Sequence, residues 1–291
     1  MLTSRDISVV TSVAHYYTLT RPQITRLHFP GDSDGRITRK RLQVVLGAGL
    51  IHRTHMQVVN PAMGAPAPVY YPSEKGIAFL AQEREDARYL TVCTQTPTWQ
   101  NLYHWVQIAE THIVLDQAAA RVPGLTIADW LSEWSVANPE ATAPEKRYCL
   151  YTLLSEPGQP RLLAAPDAGF LLEKDTFRKV FYLEQDRDST KNAQRVASQK
   201  AKGYAVLFER RLQARHFPTT NVEKFSVLMI APTAKRREAL RAAFATMPGA
   251  SLWKFASQTE LTADSFLTDS VWHPCSGAPS ALLLPATGGA G

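Results

Sequence analysis

Ala165-Pro166-Asp167-Ala168-Gly169-Phe170-Leu171-Leu172-Glu173 is followed, after a polar turn, by Val180-Phe181-Tyr182-Leu183-Glu184-Gln185-Asp186, and then by a helical pattern carrying Lys200 and Tyr204. Glu173-Lys174-Asp175 separates two apolar, aromatic-rich runs with turn residues, which predicts a hairpin. Alternation along the second run places Val180, Tyr182, Glu184 and Asp186 on one face and Phe181 and Leu183 on the other. Two carboxylates thus close one strand, with Asp167 at the start of its neighbour. Acids set this close repel unless a positive charge lies among them. A hard divalent cation, Mg²⁺ or Mn²⁺, held by Asp167, Glu184 and Asp186, is one candidate. At 100° per residue, Ala193, Val196, Lys200, Tyr204 and Leu207 fall on one helical stripe. Lysine is seldom buried unless paired, so Lys200 is expected to meet the acids. The plainer alternative is a strand end with solvated carboxylates and one structural ion pair.

Working outward, 291 residues suit two domains with separate cores. Hydrophobic residues make up 45% and charged residues 20%, a globular balance that excludes a disordered or fibrous chain. No apolar run nears the ~20 residues that span a bilayer, and the N-terminus lacks a signal-peptide core, so a cytoplasmic location is expected. Three cysteines without a Cys-x-x-Cys pair disfavour zinc fingers and disulfide scaffolds. The formal charge of +6 permits a polyanionic partner.

That charge is concentrated near the start. Residues 3–82 carry nine Lys/Arg (Arg5, Arg21, Arg26, Arg36, Arg39, Lys40, Arg41, Arg53, Lys75) against four acids (Asp6, Asp32, Asp34, Glu74). The pattern predicts a helix capped by Thr3, a second starting at Thr20-Arg21-Pro22, and a third over 36–46, closed by Gly47-Ala48-Gly49. Strands follow over 50–59 and 69–71, joined by a Pro/Gly-rich tip over 60–68. A fourth helix opens at Ser73. Leu42, Val45 and Leu46 form the third helix's inner side, leaving Arg36, Arg39 and Lys40 outward, where phosphates or guanine edges are reached.

The order resembles winged-helix DNA-binding domains. Leu19-Thr20-Arg21-Pro22-Gln23-Ile24 is similar to their second helix, Arg39-Lys40-Arg41-Leu42 with Gly49-Leu50-Ile51-His52-Arg53 to the recognition helix entering the wing, and Tyr71-Pro72-Ser73-Glu74-Lys75-Gly76 to the turn after it. The resemblance implies DNA contacts from Arg36, Arg39, Lys40, Arg41 and Arg53.

Residues 83–99 read as a charged, then Pro-containing linker. A strong helix over 101–121 follows, then strands over 147–154 and 225–231, a helix over 235–245 and a last strand over 252–256. The alternation predicts an α/β sheet over 100–272 with helices packed on it. The Ala/Gly/Pro/Ser-rich residues 273–291 are expected to be a disordered tail.

Pro166-Asp167 and a strand ending in Glu184-Gln185-Asp186 resemble the PD-(D/E)xK nuclease superfamily. This implies Asp167 and Glu184 at metal-ligand positions and Asp167, Glu184 and Lys200 as the catalytic set. Asp186 stands where the superfamily usually has lysine, and Lys200 on the next helix is placed to substitute. Glu110 or Glu133 would supply a further acid.

The whole, over residues 3–272, resembles the replication-relaxation family of plasmid and mobile-element proteins. Besides the phrases above it rests on Lys200-x-x-x-Tyr204, Val227-Leu228-Met229-Ile230 with Arg236-Arg237, and Trp272. Where that family tends to have Asp-Arg-Gly-Thr, this chain has Asp186-Arg187-Asp188-Ser189-Thr190. The resemblance implies an α+β or α/β chain: a winged helix-turn-helix over 1–82, then a nuclease-like α/β domain. The implied function is duplex-DNA binding in plasmid replication or mobilisation. A Mg-dependent endonuclease or nickase, and a scaffold for a relaxase or replication protein, are the alternatives. Expected partners are double-stranded DNA and, on a palindromic site, a second copy of the chain.

Overall fold

The computed structural model describes residues 1–58, 64–219 and 223–283. The chain is mixed α+β and divides into two compact units, Met1–Ile113 and Val114–Gly291.

In the first unit, α1 (Ser4–Tyr16) starts at a capping box in which Thr3 and Asp6 satisfy each other's backbone. β1 (Leu19–Thr20) runs into α2 (Arg21–His28), where Thr20 and Gln23 repeat the device. α3 (Arg36–Gly47) has no side-chain cap at Gly35. Instead the buried Asp32 carboxylate accepts from the backbone N–H groups of Ile37 (3.1 Å) and Thr38 (2.7 Å), supplying negative charge at the helix's positive end. β2 (Ile51–Thr54), β3 (Val69–Pro72) and β1 form an antiparallel sheet in the order β1-β3-β2. α4 (Glu74–Glu83) lies so close to the end of α3 that a Cβ on Gly76 would sit 1.9 Å from the Leu50 carbonyl oxygen. Val9, Val13, Leu19, Ile24, Leu42, Val45, Tyr70, Ile77 and Leu80 share one core. Residue 59 of the expected first wing strand and 60–63 of the expected tip lie outside the described residues.

Residues 83–113 do not stand apart as a linker and the start of a second domain; they pack with this first unit. Tyr17 donates its hydroxyl to the Gln95 carbonyl (2.8 Å), and Ala109 and Ile113 join the core. The division between units falls inside α5 (Trp99–Ala120).

The second unit is built on a six-stranded sheet whose strands, from edge to edge, are His273–Pro274, Trp253–Ser257, Phe225–Ala231, Phe177–Gln185, Ala168–Lys174 and Leu125–Ser132. β4 (Leu125–Ser132) is followed by the short α6 (Pro144–Arg147) and by β5 (Thr152–Leu153), which pairs with β6 (Leu163–Ala164) in a separate two-stranded sheet. The strand expected over 147–154 is therefore a helix end and a two-residue strand. β7 (Ala168–Lys174) and β8 (Phe177–Gln185) form the expected hairpin, turning at Asp175 with a positive φ of 53°. α7 (Ala193–Glu209), α8 (Gln213–His216), β9 (Phe225–Ala231), α9 (Ala234–Phe244), β10 (Trp253–Ser257), α10 (Ser265–Thr268) and β11 (His273–Pro274) follow. β9 lies parallel between β8 and β10 with all seven residues buried, which accounts for its unbroken apolar run.

Val180, Tyr182, Val227, Met229 and Phe255 share a core with Ala197, Ala201 and Tyr204 of α7 and Leu240 and Phe244 of α9. The expected tail is ordered well past 273. His273 and Pro274 pair with Phe255 and Lys254, Ser280 bonds the Trp272 backbone, and Leu282 is buried. Residues 284–291 of that tail lie outside the described residues.

Candidate functional site

The β7–β8 register pairs Ala168 with Leu183, so one step further Asp167 lies opposite Glu184. The Asp167 N–H donates to the Leu183 carbonyl (3.1 Å), and its Oδ2 accepts the Gln185 N–H (2.6 Å). Both carboxylates are buried, Glu184 with 2% of its surface exposed. α7 supplies what covers them. Lys200 Nζ donates to Glu184 Oε2 at 2.5 Å, and the Tyr204 hydroxyl donates to Oε1 at 2.6 Å. The i, i+4 spacing puts both donors on one helical face. On a neighbouring face Gly203 lets α7 approach β6: a Cβ there would lie 2.1 Å from the Leu163 carbonyl oxygen.

Burial, reinforced by the Asp167 carboxylate, raises the Glu184 pKa above the usual carboxylate range despite the opposing pull of Lys200 and Tyr204. Burial alone would lower Lys200, but the charges of Glu184 and Asp167 outweigh it and hold the ammonium charged. Burial and the adjacent Glu184 push the Tyr204 phenol far up, so it stays a donor. Glu133 lies beside this cluster: its charge acts on Lys200, and its N–H donates to the Asp167 carbonyl at 2.9 Å. Glu110, the other candidate acid, has partners of its own. It belongs to the first unit, where it takes Arg26 through both oxygens (2.7 and 2.8 Å) and Gln23 at 3.0 Å.

Asp186, expected beside Glu184 as a ligand, lies one residue past β8 and is claimed by Arg236. The guanidinium donates to both carboxylate oxygens (2.8 and 3.3 Å) and to the carbonyls of Lys191 and Thr190, tying α9 to the loop before α7. Arg236 also meets Asp188 at 3.3 Å, which neutralises the acid introduced by the altered Asp186-Arg187-Asp188 phrase. As placed, each Glu184 oxygen takes a donor from α7 and each Asp186 oxygen takes Arg236, so Lys200 and Arg236 supply positive charge to these acids.

On α3, Arg36, Arg39 and Lys40 are exposed at i, i+3 and i+4 spacing on one face. None of the three has an acidic side-chain partner among the described residues. Arg53 on β2 is exposed as well. Arg41, grouped with them in the sequence, turns inward: its Nε donates to Asp6 Oδ1 at 2.8 Å and its Nη2 bonds Oδ2, joining α3 to α1. Burial would raise the Asp6 pKa, but the bonds from Arg41 and Thr3 bring it down to about 2.

A family model described as replication-relaxation matches residues 10–222. The chain belongs to the replication-relaxation family. The matched part of this replication-relaxation protein contains α3, Asp167, Glu184, Lys200 and Tyr204, and ends before β9 and Arg236. No curated protein and no solved structure matches the chain. Among the described residues no helix is long and apolar enough to cross a membrane.

Proposed function

We propose that this replication-relaxation protein binds duplex DNA in plasmid replication or mobilisation, its first unit acting as a winged helix whose α3 enters the major groove. The observation that carries the reading is the outward face of α3, with Arg36, Arg39 and Lys40 exposed and unmatched by acids among the described residues. With Arg53 this gives four cations for phosphates or base edges. Each neutralised phosphate adds about −0.9 to the slope of log K against log salt, so a slope of about −4 is expected. Anisotropy titrations of labelled duplex across salt concentrations test this, with Arg39→Ala lowering the slope magnitude by about 1. Heparin binding as tight as duplex, with no effect of Arg39→Ala, would count against groove docking.

In this reading the second unit is a nuclease-like α/β domain whose chemistry is altered, with Lys200 the standing counter-charge of the acid cluster. A second reading, a metal-dependent endonuclease or nickase, is favoured by the meeting of Asp167 before β7, Glu184 on β8 and Lys200 on α7. Incubating supercoiled plasmid with Mg²⁺ or Mn²⁺ separates the two. Nicking by the wild type that disappears in Glu184→Gln supports the enzyme, and no metal-dependent nicking supports the binding protein. A second copy on a palindromic site and a relaxase or replication protein are the protein partners this role calls for.

A further inference from the structure

A cleft of about 580 Å³ opens in the second unit, lined by Lys146, Tyr148, Tyr151, Thr152, Arg215 and His216 among others. Its size is within the ~300–1,000 Å³ usual for ligand sites. We propose that this cleft holds an unpaired stretch of single-stranded DNA, bases on the tyrosines and phosphates on the cations. The proposal rests on the reading that the protein works on DNA.

His216 contributes to the wall of the cleft and is held there by two hydroxyls. Its Nε2 bonds the Thr152 hydroxyl (2.8 Å) and its Nδ1 the Tyr182 hydroxyl (2.5 Å), so both nitrogens are used. Tyr148 and Tyr151 are half-buried, each with a guanidinium over its ring: Arg147 at 5.8 Å and Arg161 at 5.9 Å. Lys146 and Arg215 are exposed and lack an ion-pair partner among the described residues. Among the described residues Glu145 is the one acid in the lining. The fitting ligand is therefore flat and anionic.

A duplex is excluded because its base faces are stacked away, whereas an unpaired base offers its face to an aromatic ring. A mononucleotide is disfavoured because its phosphate is usually cradled by converging backbone N–H groups in a glycine-rich loop, and among the described residues no glycine lines this cleft. Affinity spread over ring stacking and separate cations from α6 and α8 suits a strand.

The test uses the full chain and a fluorescein-labelled fifteen-nucleotide oligo(dT), read by anisotropy beside a labelled duplex. Tyr151→Ala is expected to weaken oligo binding about 5- to 150-fold, the range for one lost base stack. Arg215→Ala should reduce the salt-slope magnitude by about 0.7. Both variants should leave duplex affinity unchanged, and dTMP in large excess should fail to displace the oligo. Circular dichroism checks the fold, and should Tyr151→Ala unfold, the exposed Arg215 variant decides. No oligo binding, oligo binding untouched by Arg215→Ala in a folded protein, or dTMP competing as well as the oligo would overturn the proposal. Oligo binding that persists where duplex binding fails would sustain the cleft and remove the winged-helix reading instead.

Discussion

Replacing Lys200 with methionine keeps most of the side chain's length and removes only the charge that neutralises Glu184. The carboxylate would remain 98% buried beside Asp167, its charge now answered only by the Tyr204 hydroxyl. Breaking a buried pair from one side costs roughly 3–5 kcal/mol. Since 35% of the Lys200 side chain is exposed, solvent screens part of the loss and the lower end, about 3 kcal/mol, applies. Urea unfolding followed by tryptophan fluorescence measures it, Trp253 lying 5.0 Å from the Tyr204 ring. Two controls carry the logic. Glu184→Gln with Lys200→Met removes both charges and should recover all but about 1 kcal/mol. The penalty should also shrink from about pH 8 to about pH 5, because the raised Glu184 carboxyl takes up a proton and leaves no unpaired charge. A double variant no more stable than Lys200→Met, or a penalty equal at both pH values, would refute the pairing.

Burial lowers the His216 pKa from 6.5 to about 4, so protonation favours the unfolded chain. Stability is expected to be full above pH 6.5 and to fall by about 3 kcal/mol as the pH drops through 4, a slope that His216→Gln should flatten in acid-denaturation scans. Gly203→Ala should destabilise the second unit by at least about 2 kcal/mol despite alanine's better helix propensity, since backbone at 2.1 Å must move; thermal melts check this. Arg41→Met should lower the stability of the first unit while leaving the salt slope of duplex binding unchanged, measured by denaturation and anisotropy in parallel, because its charge is spent on Asp6.

Much of the site was legible because its signals are local. The Asp175 turn, the alternation through Val180, Tyr182 and Glu184, and the Lys200/Tyr204 stripe each depend on a few neighbouring residues, and the structure joins all three. β4 went unread because its register shifts between Ile127 and Asp129, which breaks the alternation that announces a strand. Residues 273–283 looked too plain to order, yet they add to a sheet edge through backbone bonds that need no side-chain pattern. Gly203 went unread; a glycine inside a helical pattern was the one signal that could have announced its close approach to Leu163.

By itself, then, the sequence determined which residues share a face: Arg36 with Arg39 and Lys40, Glu184 with Tyr182, Lys200 with Tyr204. Periodicity is a property of neighbours in the chain. Which charge answers which was decided only by the tertiary structure. Asp186 went to Arg236, Arg41 to Asp6, Glu110 to Arg26, and Glu133 to the neighbourhood of Lys200. These partners lie tens of residues apart, and a buried charge is matched by whichever opposite group the packed core brings within reach.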